Sequence, residues 1–129
     1  MDFLNYYHGK FAEDANTKHG RNGWIIGRFM EGHRHTQAVS FKYWTFNKGD
    51  EKTHTPKYEL HAVECNFILE GRVRGMIDGK EIILEKGDYV VTPAKIHSNL
   101  IEEVLEEPLV GFTVKSPSLP KEDSIKLPG

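Results

Sequence analysis

Two stretches of the sequence decide the fold: Glu64-Cys65-Asn66-Phe67-Ile68-Leu69-Glu70-Gly71 and Gly87-Asp88-Tyr89-Val90-Val91-Thr92-Pro93. Each is rich in aromatic or β-branched residues and has Gly or Pro at its ends, which is typical of a β-strand bounded by turns. Between them, Asp78-Gly79 is a dipeptide preferred by type I′ hairpins, whose two central residues both need a positive φ. The region therefore predicts antiparallel strands, the last of which ends at Pro93 because proline cannot donate to a β-ladder.

The same residue pattern continues on both sides of these stretches. From Trp24 onward, short runs of β-branched and aromatic residues are broken by Gly, Asp or Pro about every eight to twelve residues, which predicts an all-β sandwich or barrel. The clearest alternation is that of Val39, Phe41 and Tyr43 with Ser40 and Lys42. The predicted strands are Trp24–Met30, Gln37–Phe46, Leu60–Glu70, Arg72–Ile77, Glu81–Leu84, Tyr89–Thr92, Ser98–Val104 and Leu109–Val114. No segment shows a long 3.6-residue period, so few or no helices are expected.

The length and composition bound the class of protein. The 129 residues predict one domain, with a polar N-terminal extension over 1–21, a barrel over 22–115 and an arm over 116–129. The net charge of -2 is spread over both signs and gives no basic footprint for nucleic acid or an acidic membrane. A single Cys cannot form an internal disulfide, and no apolar run reaches the roughly 20 residues of a membrane span. The N-terminus lacks the pattern of a signal peptide, so a cytoplasmic protein is expected.

The two opening stretches resemble the two motifs of the cupin superfamily. Residues 64–71 read as Glu, six residues, Gly, and residues 87–93 read as Gly, five residues, Pro, with His97 shortly after. The resemblance covers residues 48–115 by motif and residues 24–46 by strand texture. It implies a single-domain jelly-roll β-barrel.

The resemblance also implies a divalent metal cofactor (Fe, Mn, Ni or Zn). Metal-binding cupins carry His, one residue, His, then three or four residues before the motif Glu. Here those places hold Tyr58 and Leu60, or Lys57 and Glu59 with the longer spacer. In the second motif Lys95 occupies a Gly position and His97 comes one residue early, which a one-residue deletion in the loop would explain. The candidate ligands are His54, Glu59, His61, Glu64 and His97, and the candidate catalytic residues are Glu64 and His97.

Strand alternation limits which of these side chains can converge. If Glu64 points into the barrel, Asn66 and Ile68 do too, while the more apolar set that includes His61, Val63, Cys65 and Phe67 points outward. One reading is that the apolar set is covered by another sheet or a partner subunit, which makes Glu64 and Asn66 a polar floor and favours a homodimer. The other is that a bulge near Ala62-Val63 shifts the register and brings Glu59 to Glu64. We prefer the first.

The remaining histidines and the cysteine point to no site. His8 and His19 are expected on the surface, His33 and His35 in a loop, and Cys65 as an unreactive thiol.

Three functions remain open. The first is a barrel that binds a small polar or sugar-like ligand, either with or without a metal. The second is a metal-dependent oxygenase, isomerase or lyase with a non-standard ligand set. The third is a metal-free epimerase or isomerase with His97 or His61 as the base. Phosphoryl transfer, dinucleotide chemistry and triad hydrolysis are disfavoured because their motifs are missing from the sequence.

Overall fold

A computed structural model describes residues 8–14 and 23–128. Its eight strands form one curled antiparallel sheet, so the prediction of an all-β barrel is confirmed. The strands are β1 Trp24–Ile26, β2 Ser40–Phe46, β3 Lys57–Glu59, β4 Val63–Ile77, β5 Lys80–Glu85, β6 Tyr89–Thr92, β7 Ser98–Ser116 and β8 Ser124–Lys126. The helices are a single α-helical turn, α1 Phe11–Asp14, and three 3-10 turns at Gly32–Arg34, Asp50–Thr53 and Lys121–Asp123. No helix in these two described ranges is long and apolar enough to cross a membrane.

Two long strands organise the sheet. Strands β4 and β7 pair along most of their length, and several register shifts in this pairing bend them. Each joins two strands that the sequence predicted as separate. The predicted break at Gly71 is a bend inside β4, where Gly71 has a φ of 85° and a Cβ would lie 2.5 Å from the Pro108 carbonyl oxygen. A glycine is therefore required where β4 crosses β7.

The turns follow the sequence signals. Asp78 and Gly79 both have positive φ, at 53° and 76°, as the predicted type I′ hairpin requires. Strand β6 ends at Thr92, directly before Pro93. The sequence did not predict β3 and β8, which are three residues long and pair with each other. These two short strands place the C-terminal segment beside the barrel opening.

The core and the C-terminal arm close the barrel. The apolar core consists of Ile68, Val73, Leu84, Leu100, Ile101, Val104 and Leu109, with Trp44 and Phe46 packed against it. Ser118 is buried in the arm, where its Oγ lies 2.5 Å from the Ser40 Oγ and accepts a hydrogen bond from the Arg28 backbone N–H at 2.8 Å. The arm therefore packs on the barrel of its own chain.

Candidate ligand cavity

A polar floor lies inside the barrel, where β4 and β7 run side by side. Glu64 and Asn66 alternate with outward-facing residues on β4, and their side chains are buried as the alternation predicts. Asn66 Nδ2 donates to Glu64 Oε2 at 2.9 Å, and the Thr113 hydroxyl donates to Asn66 Oδ1 at 2.5 Å. The Trp44 indole N–H in turn donates to Thr113 Oγ1 at 2.8 Å. This chain of hydrogen bonds fixes the orientation of the Glu64 carboxylate.

Two lysines neutralise two carboxylates at one end of the floor. Lys57 Nζ lies 2.6 Å from Glu64 Oε1 and 3.2 Å from Glu59 Oε1. Lys115 Nζ lies 2.5 Å from Glu59 Oε1 and 3.7 Å from Glu64 Oε1. Ser124, on the C-terminal strand β8, donates its hydroxyl to Glu59 Oε2 at 2.5 Å. We call the four charged side chains of Lys57, Glu59, Glu64 and Lys115 the ion-pair cluster.

The protonation states of the cluster follow from its contacts. Burial alone would raise the pKa of Glu64 and of Glu59, but the neighbouring lysines hold both pKa values below the ordinary carboxyl range. Burial would lower the pKa of Lys57, but the Glu64 and Glu59 carboxylates raise it above its ordinary value. The cluster therefore holds its carboxylates ionised and Lys57 protonated at neutral pH.

Above the floor lies a cavity of about 140 Å³ that is open to solvent. Its lining comprises Trp24, Lys42, Trp44, Phe46, His54, Lys57, Glu64, Asn66, Ser98, Leu100, Ile101, Thr113 and Lys115. The walls thus combine aromatic and aliphatic side chains with several polar and charged groups. Small-molecule sites commonly combine an apolar lining with a few polar groups in this way.

Lys42 projects into this cavity from β2. Its Nζ lies 5.3 Å from the centre of the Trp24 ring, and it forms no ion pair with any described residue. Burial, followed by the nearby Lys115 and Lys57 ammonium groups, lowers the pKa of Lys42. Lys42 is therefore a cation without a counter-ion in the described part of the site.

A second, larger cavity of about 520 Å³ lies under the C-terminal arm. It shares Trp24, Lys57 and Lys115 with the first and is bounded on its other side by residues 117–126. The ion-pair cluster thus separates the interior of the barrel from the space beneath the arm.

The structure brings some of the predicted site residues together and keeps others apart. Glu59 and Glu64 meet in the cluster, and His54 lines the cavity, where its Nδ1 lies 2.8 Å from Asn99 Oδ1 and burial lowers its pKa. His61 lies outside: its side chain is 75% exposed and its Nδ1 lies 2.8 Å from Asp123 Oδ1. His97 is exposed and stacks on Tyr58 with ring centres 5.0 Å apart, away from the cavity lining.

Glu59 reaches Glu64 by a route that differs from the bulge considered for Ala62-Val63. The chain bends at residues 60–62, so that Glu59 belongs to β3 and Glu64 to β4. The two strands approach the cluster from different sides, and Lys57 and Lys115 bridge their carboxylates.

Comparison with known proteins identifies the family. The sequence profile of the cupin domain matches residues 42–110, which is more than half of the chain. The chain belongs to the cupin family. No curated protein matches its sequence.

Solved structures share the fold of this cupin at low sequence identity. The nucleoside dehydratase Pac13 of Streptomyces has a TM-score of 0.57 at 8% identity, over 71% of this chain and 70% of its own. KdgF from Halomonas has a TM-score of 0.54 at 17% identity, over 68% and 76% of the two chains. A protein with a double-stranded β-helix domain from Klebsiella pneumoniae has a TM-score of 0.60 at 14% identity, over 82% of both chains.

The structure also decides which residues take the places of the family's metal ligands. Lys57, Glu59 and Glu64 converge as the longer of the two spacers implies. In the second motif Ser98, rather than His97, begins β7 and lines the cavity. Lys95 has a left-handed backbone, with a φ of 71°, and His97 is exposed and does not line the cavity.

These residues do not fit a divalent metal. Lys57 is protonated, so it has no lone pair to offer a metal and adds a positive charge where the metal would lie. Within residues 8–14 and 23–128, no three His, Cys, Asp or Glu side chains are grouped as a metal site. In this cupin, Lys57 and Lys115 supply the positive charge beside the two carboxylates.

The lysines of the site carry little signal in the sequence. Lys42 was read only as the polar partner in the alternation of β2, although the same alternation places it on one face with Trp44 and Phe46. Lys57 occupies a position at which metal-binding cupins carry His, but this position alone does not predict its ion pairs with Glu59 and Glu64. Lys115 carried no local signal, because its contact with Glu59 depends on the pairing of distant strands.

Proposed function

We propose that this cupin binds a small polar ligand with an acidic group inside the barrel, and that binding needs no divalent metal. The observation that carries the proposal is the charge balance of the cavity wall. Three lysines, Lys42, Lys57 and Lys115, face two carboxylates, and the two carboxylates are already paired with Lys57 and Lys115. The ammonium of Lys42 is left to attract an anion.

The cavity also limits the size and shape of the ligand. Engineered cavities of about 150 Å³ accept benzene, so a cavity of about 140 Å³ suits a ligand of about six non-hydrogen atoms. Trp24 and Trp44 supply apolar surface against which a sugar-like ring can pack. A sugar acid would have its carboxylate at Lys42 and extend toward the mouth of the cavity.

The alternative is a metal-dependent enzyme that uses His54, Glu59, His61, Glu64 and His97. It has less support, because His61 and His97 lie outside the cavity and the carboxylates are engaged by lysines. A metal-free epimerase with His61 or His97 as base loses support for the same reason.

Tryptophan fluorescence tests the proposal directly, because both tryptophans of the chain line the cavity. We expect lactate and glucuronate to change the emission in a saturable way, in protein treated with EDTA as well as in protein supplied with Mn²⁺ or Zn²⁺. Lys42→Met should weaken binding by about tenfold or more, since a hydrogen bond to a charged group contributes about 1.5–3 kcal/mol.

Lys80→Met is the matched control, because Lys80 is exposed on the β4–β5 hairpin. It should leave the affinity unchanged. If neither acid changes the emission of the wild-type protein, the proposed ligand class is wrong. If binding requires a metal, the metal-free part of the proposal is wrong.

A further inference from the structure

Lys42 has the surroundings of an amine nucleophile. Its side chain lines a cavity that is open to solvent, so a small molecule can approach its Nζ. Its neighbours on that side are the Trp24 ring and the two lysines of the ion-pair cluster, and no described carboxylate is paired with it. It differs from Lys57 and Lys115, whose Nζ atoms are occupied by contacts with Glu64 and Glu59.

The electrostatics act in the same direction as the geometry. Burial and the adjacent ammonium groups lower the pKa of Lys42. The Glu64 carboxylate acts in the opposite direction, but its effect is smaller, so the pKa is lowered overall. A lower pKa increases the fraction of the amine that is neutral and has a free lone pair. Desolvation and a neighbouring cation are the two means by which proteins activate lysine as a nucleophile.

We propose that Lys42 forms a reversible imine with a small ligand that carries both a carbonyl group and a carboxylate, such as an α-keto acid. The inference rests on the proposed function, since it places the same acidic ligand in the same cavity. The neutral Nζ attacks the carbonyl carbon, a C–N double bond replaces the C–O double bond, and both amine hydrogens leave with the oxygen as water. The step needs no oxidant or reductant.

The other groups of the cavity would assist this reaction. Lys115 and Lys57 lie close enough to lower the pKa of Lys42 electrostatically. A three-carbon keto acid has about six non-hydrogen atoms, which matches the size of the cavity. The mouth of the cavity allows the released water to leave.

Reductive trapping tests the proposal. The full-length protein is incubated with pyruvate and sodium cyanoborohydride, which reduces an imine to a stable secondary amine bearing a 1-carboxyethyl group, and the modified lysine is located by peptide mass spectrometry. We expect Lys42 to be modified about tenfold or more faster than the exposed Lys80 in the same sample. Lys42→Arg keeps the positive charge and should remove this fast modification.

A parallel fluorescence titration with lactate, which lacks the carbonyl, separates the imine from simple binding. If lactate changes the tryptophan emission but pyruvate modifies Lys42 no faster than Lys80, the imine is refuted and the proposed binding function stands. If neither lactate nor pyruvate changes the emission and Lys42 is not modified, both proposals are refuted. Fast modification of Lys57 or Lys115 in place of Lys42 would also overturn the assignment of the nucleophile.

Discussion

Lys57 donates to both carboxylates of the ion-pair cluster, from a position at which metal-binding cupins carry histidine. A buried carboxylate needs a positive charge nearby, and a metal ion or an ammonium group can supply it. Lys57 and Lys115 provide that charge within the chain itself. The negative charge of the two carboxylates is therefore compensated by lysines of the same chain.

The cluster predicts a strong effect of Glu64→Gln on stability. The substitution leaves two half-buried lysines with one carboxylate, so the loss should be below the roughly 3–5 kcal/mol that breaking a fully buried pair from one side costs. The double variant Lys57→Met/Glu64→Gln should lose less than the sum of the two single variants, by at least about 1 kcal/mol. Urea unfolding of the four proteins measures this coupling, and strictly additive losses would show that the ion pair is energetically unimportant.

The same carboxylates predict a loss of stability in acid. The pKa values of Glu59 and Glu64 are below the ordinary value of 4.5, so the folded state binds their protons less tightly than the unfolded chain does. Their contribution is complete above that value and decreases as the pH falls through the folded-state pKa. The free energy of unfolding should therefore decrease below about pH 4.5, and more steeply in the wild-type protein than in Glu64→Gln. Equal slopes in the two proteins would contradict this assignment.

We expect Lys95→Gly, in the loop after β6, to stabilise the protein. The φ of 71° at Lys95 costs an L-residue roughly 1–2 kcal/mol, and glycine removes that cost at the expense of about 0.5–1 kcal/mol of chain entropy. Lys95→Gly should raise the free energy of unfolding by about 0.5–1 kcal/mol, measured from the urea midpoint. Lys95→Ala is the control and should give no such gain. A lower midpoint for the glycine variant would contradict the argument.

At the scale of secondary structure elements, the C-terminal arm holds the bend between β3 and β4 in place. Asp123 Oδ2 accepts from the backbone N–H groups of His61 and Ala62 at 3.2 and 3.1 Å, and its backbone carbonyl accepts from Leu60 at 2.8 Å. This bend allows the Glu59 and Glu64 carboxylates to contact the same lysine, Lys57. The arm thus supports the site through the turn as well as through Ser124.

Asp123→Asn tests that support. The amide cannot accept all of the hydrogen bonds that the carboxylate accepts, so the variant should lose about 1–2 kcal/mol of stability in urea unfolding. Glu122→Gln, at the exposed neighbouring position, should change the stability by less than about 0.5 kcal/mol. If the two variants are equally stable, the arm does not hold the turn.

At the scale of the whole molecule, the outer face of the sheet is apolar. Strand register aligns two rows of four side chains across it, Tyr89–Phe67–Phe112–Tyr43 and Val91–Cys65–Val114–Phe41. Phe11 of α1 stacks on Tyr43 with ring centres 5.2 Å apart and covers one end. At the other end Tyr89 is 66% exposed and Val91 is 48% exposed. Strand alternation predicted an apolar face opposite Glu64 and Asn66, and the structure shows one, which Phe11 covers at one end.

We propose that the exposed end of this face pairs with a second copy of the chain. Light scattering coupled to size-exclusion chromatography should give twice the mass of one chain. The variant Tyr89→Lys/Val91→Lys should give a monomer, because two charges would be buried at the interface. Ile83→Lys changes a comparably exposed apolar residue on β5 and should leave the dimer intact. A monomeric wild-type protein at all concentrations would contradict the proposal.

The orientation of side chains within one strand had a local signal in the sequence. The alternation of Glu64 and Asn66 with their neighbours placed both side chains inside the barrel. His97, which was expected at the site, instead stacks on Tyr58 outside the cavity lining. The contact of Lys115 with Glu59 had no local signal, because it depends on the register between strands far apart in the sequence. The joining of the predicted strands into β4 and β7 also had no local signal, because it depends on the register shifts in the pairing of these two strands.

The family, the β architecture and the inward position of Glu64 and Asn66 can be predicted before the chain is folded, because they follow from motif spacing and from the two-residue period of a strand. What the Glu64 carboxylate faces depends on contacts between distant segments. The bend at residues 60–62, the register of β4 with β7 and the return of the C-terminal arm bring Lys57, Lys115 and Ser124 to the two carboxylates. Charges from strands distant in sequence can compensate each other only after those strands have paired, so the motif spacing alone did not predict the contact of Lys115 with Glu59.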